Sequence, residues 1–506
     1  VKPLASYAFI GHSTIMDNQS IDTRVVIIGT GFSGIAAAIE LGRQGIGDFV
    51  MLEKAADIGG TWRDNQYPGA CCDVPSVLYS LSYEQNPNWS RKYSPAPEIH
   101  AYQHHVMDKY GLRNRTRTGF EVASADWQDD HWLVTSTSGE TIRATHVISA
   151  IGALHIPFKP DIKGLKNFKG KVMHSAEWDH DYDFKDQNVV VVGSAASGVQ
   201  IVPEVAKTAR RVTVMQRTPN YFVPRDDQAF SNLSKTLFKT LPFTQRLQRW
   251  WQYCFNDVFF LSAFKNGDSY LKRYVSKMIE DHQKKQVKDP DMLAKIKPDY
   301  VAGCKRILLS DDFLPTLAMD SVDLVTEPID HFREMKLVTK AGTEIEADLV
   351  VLATGFETTK MMGHMMVTGP SGQTVQSAWK DGIKAHRSVA IAGFPNFFMM
   401  YGPGSNLGHS SIIIMFEAEA KLIANLIKTA DDCGVTIEPC PNAQAAWNER
   451  LQSALSERVW ATDCDSWYKD EHGRIFSLWP WSTTRFIREM KRTPLSEFIL
   501  RKTAKS

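Results

Sequence analysis

One supersecondary pattern occurs twice in this chain, and few sequence features restrict a fold so tightly: an apolar strand, a glycine-rich turn, a helix and a second strand. The first copy is RVVIIGTGFSGIAAAIELGRQGIGDFVMLEK (24–54), where Gly29-Thr30-Gly31-Phe32-Ser33-Gly34 reads GxGxxG in the required setting. Gly29 permits the tight turn, Gly31 lets the backbone approach a pyrophosphate, and Gly34 allows the helix to pack close on the strand. The helix N-terminus then faces the phosphates with unpaired N–H groups. Glu53 closes the second strand, where a carboxylate can accept both hydroxyls of an unphosphorylated ribose.

The second copy is NVVVVGSAASGVQIVPEVAKTARRVTVMQRTP (188–219), with Gly193, Ala195 and Gly198 at the glycine positions and Ser197 between the last two. Its second strand ends not in an acid but in Gln216-Arg217-Thr218. A carboxylate there would repel a 2′-phosphate, whereas a guanidinium and a hydroxyl bind one. The first unit is therefore expected to hold the ADP half of FAD, and the second to prefer NADPH over NADH.

Two further stretches are read as completing the flavin fold. DLVVLATGFE (348–357) is an apolar strand whose ATGF turn brings the chain back toward FAD, and VISAIGALHIP (147–157) closes the first lobe, with Pro157 and Pro160 marking a linker. The expected class is α/β, with two Rossmann-like dinucleotide-binding domains and a helical insert. FAD binding is assigned to 16–157 and 352–506, and NADPH binding to 165–220 and 300–351. Residues 221–299 fit no dinucleotide fold and read as helices with polar breaks, an insert in the NADPH lobe that roofs a substrate pocket. Within it Trp250, Trp251, Tyr253, Phe255, Phe259 and Phe260 are too dense for one narrow helical stripe. Core packing or a subunit contact is expected of them, a membrane-surface helix being the other reading.

At 506 residues there is room for two or three full cores. A formal net charge of +1 points to no nucleic-acid partner. No stretch reaches the roughly 18 uninterrupted apolar residues of a membrane span. The opening VKPLASYAFIGHST lacks the pattern of a secretory signal, so residues 1–15, ahead of Met16, read as an N-terminal extension. The seven cysteines include no CxxC pair, and the vicinal Cys71-Cys72 is unsuited to a structural disulfide. That pattern leads to an expected reducing, cytoplasmic compartment. No metal-ligand spacing is recognised, and no metal is expected.

Between the two units runs FKGKVMHSAEWD, in which Phe168, Gly170, His174, Trp178 and Asp179 fit FxGxxxHxxxW(P/D). GGTWRDNQYPGACCD (59–73) places Gly60, Trp62, Tyr67, Pro68, Gly69 and Asp73 in a second signature, and GCKRILLSDDFLPTL (303–317) supplies a third. On these motifs, from about residue 24 into the C-terminal region, the chain resembles the type I Baeyer–Villiger monooxygenases, class B flavoprotein monooxygenases of the flavin-containing monooxygenase superfamily. The resemblance implies FAD, NADPH and O2 as reactants, and insertion of one oxygen atom beside a ketone carbonyl through a C4a-peroxyflavin anion to give an ester or lactone. Sulfoxidation is a possible side activity. It implies Arg306 as the permanent positive charge beside the flavin, Asp73 as its carboxylate partner, and Lys305 joining Arg217 and Thr218 on the 2′-phosphate. It also implies FAD contacts from Ser33, Thr61, Trp62, Arg63, Asp64, Asp73 and Tyr79, and from the Val122 backbone. Trp467 resembles a tryptophan that packs near NADP+, with a core position as the alternative. The fingerprint residues 168–179 are expected to lie in the connection between lobes and couple their rotation, His174 being a hydrogen-bonding hinge residue.

The chain also departs from the family pattern. Arg63-Asp64 replaces an aromatic pair of many cyclic-ketone enzymes, and Cys71 stands where arginine is frequent. GCKR and CDSWY look closer to the subgroup that includes acetophenone-type enzymes. The alternative activity is N- or S-oxygenation by a flavin-containing monooxygenase. An NADPH:disulfide reductase would need a redox dithiol beside FAD, and none is recognised. GPGSNLGHSS (402–411) is expected to approach the flavin ring. Its His409-Ser410-Ser411 shows no acid partner for nucleophilic catalysis. The expected partners are a small ketone and O2, with a monomer or small homo-oligomer as the assembly.

Overall fold

The computed structural model of the chain describes residues 21–264 and 270–503. The proposed extension 1–15 and the side chains of Phe259 and Phe260 lie outside the described residues. The first sheet is built on the strand Ile21–Ile28, whose Val25 to Ile28 are buried on both faces. Such a run suits a parallel strand covered from both sides. It pairs in parallel with Phe49–Leu52 and Thr141–Ser149, and the latter also pairs in parallel with Phe397–Met399. A meander of Val122–Gln128 and His131–Ser136 extends the sheet antiparallel from Thr141–Ser149. The helices Phe32–Arg43 and Ile412–Cys433 pack on each other, and their apolar faces share the largest buried cluster.

The second sheet has five strands, all parallel, in the order Val322–Val325, Arg211–Met215, Asn188–Val192, Leu349–Leu352, Lys171–His174. Two sequence expectations change here. The strand of DLVVLATGFE does not complete the first sheet: Leu349–Leu352, fully buried, lies inside the second between two partners, and only its ATGF turn leads back. The Phe168–Asp179 stretch is not simply linker either, because it supplies the edge strand Lys171–His174. Four-residue strands in a parallel sheet carry no local signal of their neighbours, since each crossover hides the spatial order.

The chain passes between the sheets twice, and the two passages run side by side. Pro157 forms a β-bridge with Phe356, Phe158 N–H donates to the Gly355 carbonyl at 2.9 Å, and Glu357 N–H donates to the Ile156 carbonyl at 3.0 Å.

The insert is helical, as its pattern predicts: Asn232–Thr240, Pro242–Cys254, a π-helical stretch Phe255–Phe260, Tyr270–Gln286 and Pro290–Lys295. Although it interrupts the second lobe in sequence, its early helices dock on the first. Arg249 donates to the carbonyls of Val77 (2.8 Å) and Leu78 (3.0 Å), and Gln245 donates to that of Asn86 (2.7 Å). Trp250 and Trp251 stay 61% and 59% exposed, so packing within this chain's core is not their role. Among the described residues no helix is long and apolar enough to cross a membrane.

Candidate active site between the two dinucleotide lobes

The two glycine turns are built alike. Gly29 (φ 106°) and Gly193 (φ 112°) both take a conformation that L side chains avoid. A Cβ on either would come within 2.5 Å of a carbonyl oxygen on the neighbouring strand, Ala150 and Ala353 respectively. Gly31 and Ala195 cap the helices Phe32–Arg43 and Ala196–Val205, and neither helix has a side-chain cap or a first-turn acid. Each helix N-terminus is therefore left with unpaired N–H groups suited to phosphate.

Above the first turn lies a cavity of about 450 Å³. Ten of the twelve residues assigned to FAD line it: Gly29, Gly31, Ser33, Glu53, Thr61, Trp62, Arg63, Asp64, Tyr79 and Val122. The other two do not. Gly34 packs its backbone under the turn against Gly29, and Asp73 is engaged elsewhere. Ser33 Oγ donates to the Ala150 carbonyl (3.2 Å), and Trp62 Nε1 donates to Tyr79 Oη (3.1 Å). Glu53 is buried, and protein donors hold both of its oxygens: Thr30 N–H (3.2 Å) and Oγ1–H (2.6 Å) on one, Arg63 Nη1 (2.8 Å) and Ala55 N–H (3.1 Å) on the other. Any ribose hydroxyl there shares these oxygens. Gln103, which the sequence reading missed, is fully buried on the cavity wall with no protein partner for either amide atom. Buried polar groups are nearly always satisfied, so a ligand with polar groups fits this cavity.

On the second lobe, Arg217 is exposed at the end of the Arg211–Met215 strand, and Thr218 is half-buried beside it. Burial pulls Lys305 below the usual lysine range; Asp465 opposes this and Arg217 adds to it, so the two cations face one region.

Arg306 and Asp73 meet across the lobes. Nε and Nη2 of Arg306 both donate to Asp73 Oδ2, at 2.8 and 2.6 Å. Asp73 raises the guanidinium above the ordinary arginine range, with burial opposing. The loop carrying Asp73 is held on the second lobe's helix: Tyr67 Oη donates to Gln200 Oε1 (2.9 Å), and Gln200 Nε2 donates to the Cys71 carbonyl (3.1 Å). Gly69 (φ 82°) passes so close that a Cβ would meet the Gln200 carbonyl oxygen at 2.5 Å. Tyr401 and Tyr468 complete the surroundings of Arg306. Burial raises both phenols, Tyr468 to about 12, and Arg306 opposes the rise. Tyr401 has φ 60° and lines both the cavity above the first glycine turn and a smaller one shared with Trp467. Trp467 is 37% exposed and rests on Tyr468 with ring centres 4.5 Å apart, an edge position rather than a core one.

The fingerprint clamps the paired passages. His174 Nε2–H donates to the Gly355 carbonyl (3.1 Å), while Nδ1 accepts from Ala176 N–H (3.1 Å). Burial lowers the imidazole pKa and keeps it neutral. Phe168 packs edge-on to Phe332, Trp178 edge-on to Phe184, and Lys171 donates to Asp179 (2.6 Å). A Cβ on Gly170 would lie 2.5 Å from the Asp348 carbonyl oxygen.

Two expectations are overturned. Cys304 and Cys464 form a disulfide across 160 residues, Cα atoms 6.5 Å apart. The cysteine argument for a reducing compartment therefore falls, and the bond ties the Arg306 loop to the segment carrying Trp467 and Tyr468. No local spacing could reveal it. Cys71 and Cys72 remain free, and burial raises their thiols, Cys71 to about 11, so they form no reactive pair. His409 does have an acid partner, Asp257 of the insert at 3.4 Å. Burial raises Asp257, but His409 and Thr483 outweigh it and hold the carboxyl at about 2. Because Asp257 also accepts from Thr483 N–H (2.7 Å) and Oγ1–H (2.8 Å), it anchors a helix start.

The chain has near full-length relatives among known proteins. Residues 26–241 match the pyridine nucleotide-disulphide oxidoreductase family. A Baeyer–Villiger monooxygenase of Streptomyces coelicolor is 42% identical over 480 residues, 94% of this chain and 92% of that protein. The FAD-binding monooxygenase ktnD of Aspergillus niger is 35% identical over 497 residues, 94% of this chain and 81% of that protein. Among solved structures, an oxidized steroid monooxygenase bound to NADP superposes with a TM-score of 0.84 at 28% identity, covering 95% of this chain and 100% of that one. With two dinucleotide folds and near full-length kinship, the chain belongs to the Baeyer–Villiger monooxygenase family.

Proposed function

We propose that this chain uses FAD, NADPH and O2 to insert one oxygen atom beside a ketone carbonyl, releasing an ester or lactone. The observation that carries the reading is the Arg306–Asp73 pair, held between the two dinucleotide lobes beside Tyr401, which itself lines the cavity above the first glycine turn. When bound, FAD supplies acceptance of hydride from NADPH and activation of O2. The first lobe, 16–157 and 352–506, holds FAD, with the helix N-terminus at Gly31 and the walls from Glu53 to Tyr79 as its cradle. The second, 165–220 and 300–351, holds NADPH, with Arg217, Thr218 and Lys305 on the 2′-phosphate and Gly193, Ala195, Ser197 and Gly198 under the pyrophosphate.

Arg306 keeps a fixed positive charge where oxygen-centred negative charge develops, and Asp73 aims it. The buried, neutral His174 passes no charge to the reaction. It fixes Gly355 and so the angle between the lobes, which brings the nicotinamide side to or from the flavin side. Trp467 and Tyr468 close the edge and exclude water.

The test is turnover of purified holoenzyme with NADPH, ¹⁸O2 and a panel of linear, cyclic and aryl ketones plus one thioether, scored by mass spectrometry. One labelled oxygen in an ester or lactone supports the proposal. Labelled sulfoxide without any ester assigns the protein to heteroatom oxygenation and removes the role given to Arg306.

A further inference from the structure

We propose that Asp57, His100 and His104 form a binding site for one divalent transition-metal ion, with zinc the reference ion, behind the flavin-facing loop. His100 and His104 stand one turn apart on the helix Ala96–Lys109, and Asp57 comes from the loop leading into Gly59-Gly60. His104 Nε2 lies 3.1 Å from both His100 Nε2 and Asp57 Oδ2, and His100 Nε2 lies 3.7 Å from the same oxygen. Ligands about 2.0–2.1 Å from a tetrahedral zinc ion are separated by about 3.3 Å, so the three atoms already stand as three corners of such a shell. Two imidazoles and one carboxylate select a transition metal over magnesium or calcium, and the outward side leaves water as the fourth ligand.

The proton inventory points the same way. His100 Nε2 sits 2.9 Å from the Ile58 carbonyl oxygen and must carry a proton to bond it. His104 Nδ1 faces the Arg113 guanidinium, a donor, so its proton is on Nε2, toward Asp57. The two ring nitrogens thus lie 3.1 Å apart, one proton aimed at the Ile58 carbonyl and the other at Asp57. A cation that replaces both protons takes all three atoms as ligands. Binding moves Arg113 off Nδ1, which its exposed position and its pairing with Asp108 permit.

The consequence is mechanical. The His100 ring lies against Gly59, where a Cβ would come within 2.5 Å of its Cδ2, and Arg63 on the cavity wall donates to the Asp57 carbonyl (2.7 Å). An ion here cross-links the Asp57–Gly60 loop to the helix behind it and stiffens the flavin cradle. This extends beyond the sequence reading, which expected no metal, because only the fold brings Asp57 to His100 and His104.

The experiment is calorimetric titration of chelator-treated holoenzyme with zinc chloride, run in parallel on His104→Ala and His100→Gln. The expected result is one site of micromolar affinity in the wild type, weakened about 100-fold or more in each variant, with FAD content unchanged. The wild type alone gains thermal stability with zinc. X-ray absorption at the zinc edge of the wild type, which needs no variant to fold, is expected to show two imidazoles and no sulfur. Sulfur in the shell, undiminished binding in His104→Ala, or no binding by the wild type at millimolar zinc each overturns the site.

Discussion

Changing Asp73 to Asn tests the proposed centre more sharply than removing Arg306 itself. Both guanidinium bonds end on one oxygen, at 2.8 and 2.6 Å, so the pair is held by charge and two N–H donors rather than by packing. Unit charges about 4 Å apart at an effective dielectric near 20 attract by about 4 kcal/mol. The side chains are 33% and 29% exposed, and solvent screening at that exposure leaves roughly half, about 2 kcal/mol. If Asp73 acts by holding Arg306 in place, Asp73→Asn slows product formation by about 30-fold. Arg306→Ala removes the charge itself and costs about a hundredfold to a thousandfold. Labelled product from ¹⁸O2, NADPH consumption and H2O2 would be measured together on holoenzymes matched for FAD content. Both variants are expected to keep oxidising NADPH while product falls and H2O2 rises. Unchanged product formation in Asp73→Asn would refute the positioning argument. Unchanged product formation in Arg306→Ala would refute the proposed role of the charge.

Three further outcomes follow from particular contacts. Gly69→Ala, forced against the Gln200 carbonyl at a φ of 82°, should cost about 1–3 kcal/mol and lower product yield, read by urea unfolding and coupled assay. Thiol titration of the denatured, unreduced chain should find five free cysteines and, after reduction, seven. Cys464→Ser should lower the melting temperature, because a closed loop of that length constrains the unfolded chain by up to about 5 kcal/mol. His386, buried beside Trp447 and Phe498, is pushed down to about 4 by desolvation, which outweighs Glu497. A histidine depressed in the folded state stabilises it above the unfolded pKa, near 6.5, and that contribution is lost as pH falls toward 4. Unfolding free energies at pH 7 and pH 5 should therefore differ more in wild type than in His386→Gln.

The sequence by itself determined the two dinucleotide-type folds. It could do so because each rests on a few consecutive residues. A turn that needs φ above zero, a backbone that must pass within reach of a carbonyl, and an acid or arginine at a strand end are local demands. Gly29, Glu53, Gly193 and Arg217 satisfy them within single supersecondary units. Tertiary structure alone decided the rest. The Leu349–Leu352 strand lies inside the second sheet, an insert in the second lobe rests on the first, Asp257 reaches His409, and Cys304 joins Cys464. Resemblance named Asp73 and Arg306 as partners, but only the docking of Gly69 on Gln200 shows how a carboxylate 233 residues away is held there. These pairings depend on how separate layers pack, and residues hundreds of positions apart leave no periodic or spacing signal of a distance that only packing sets.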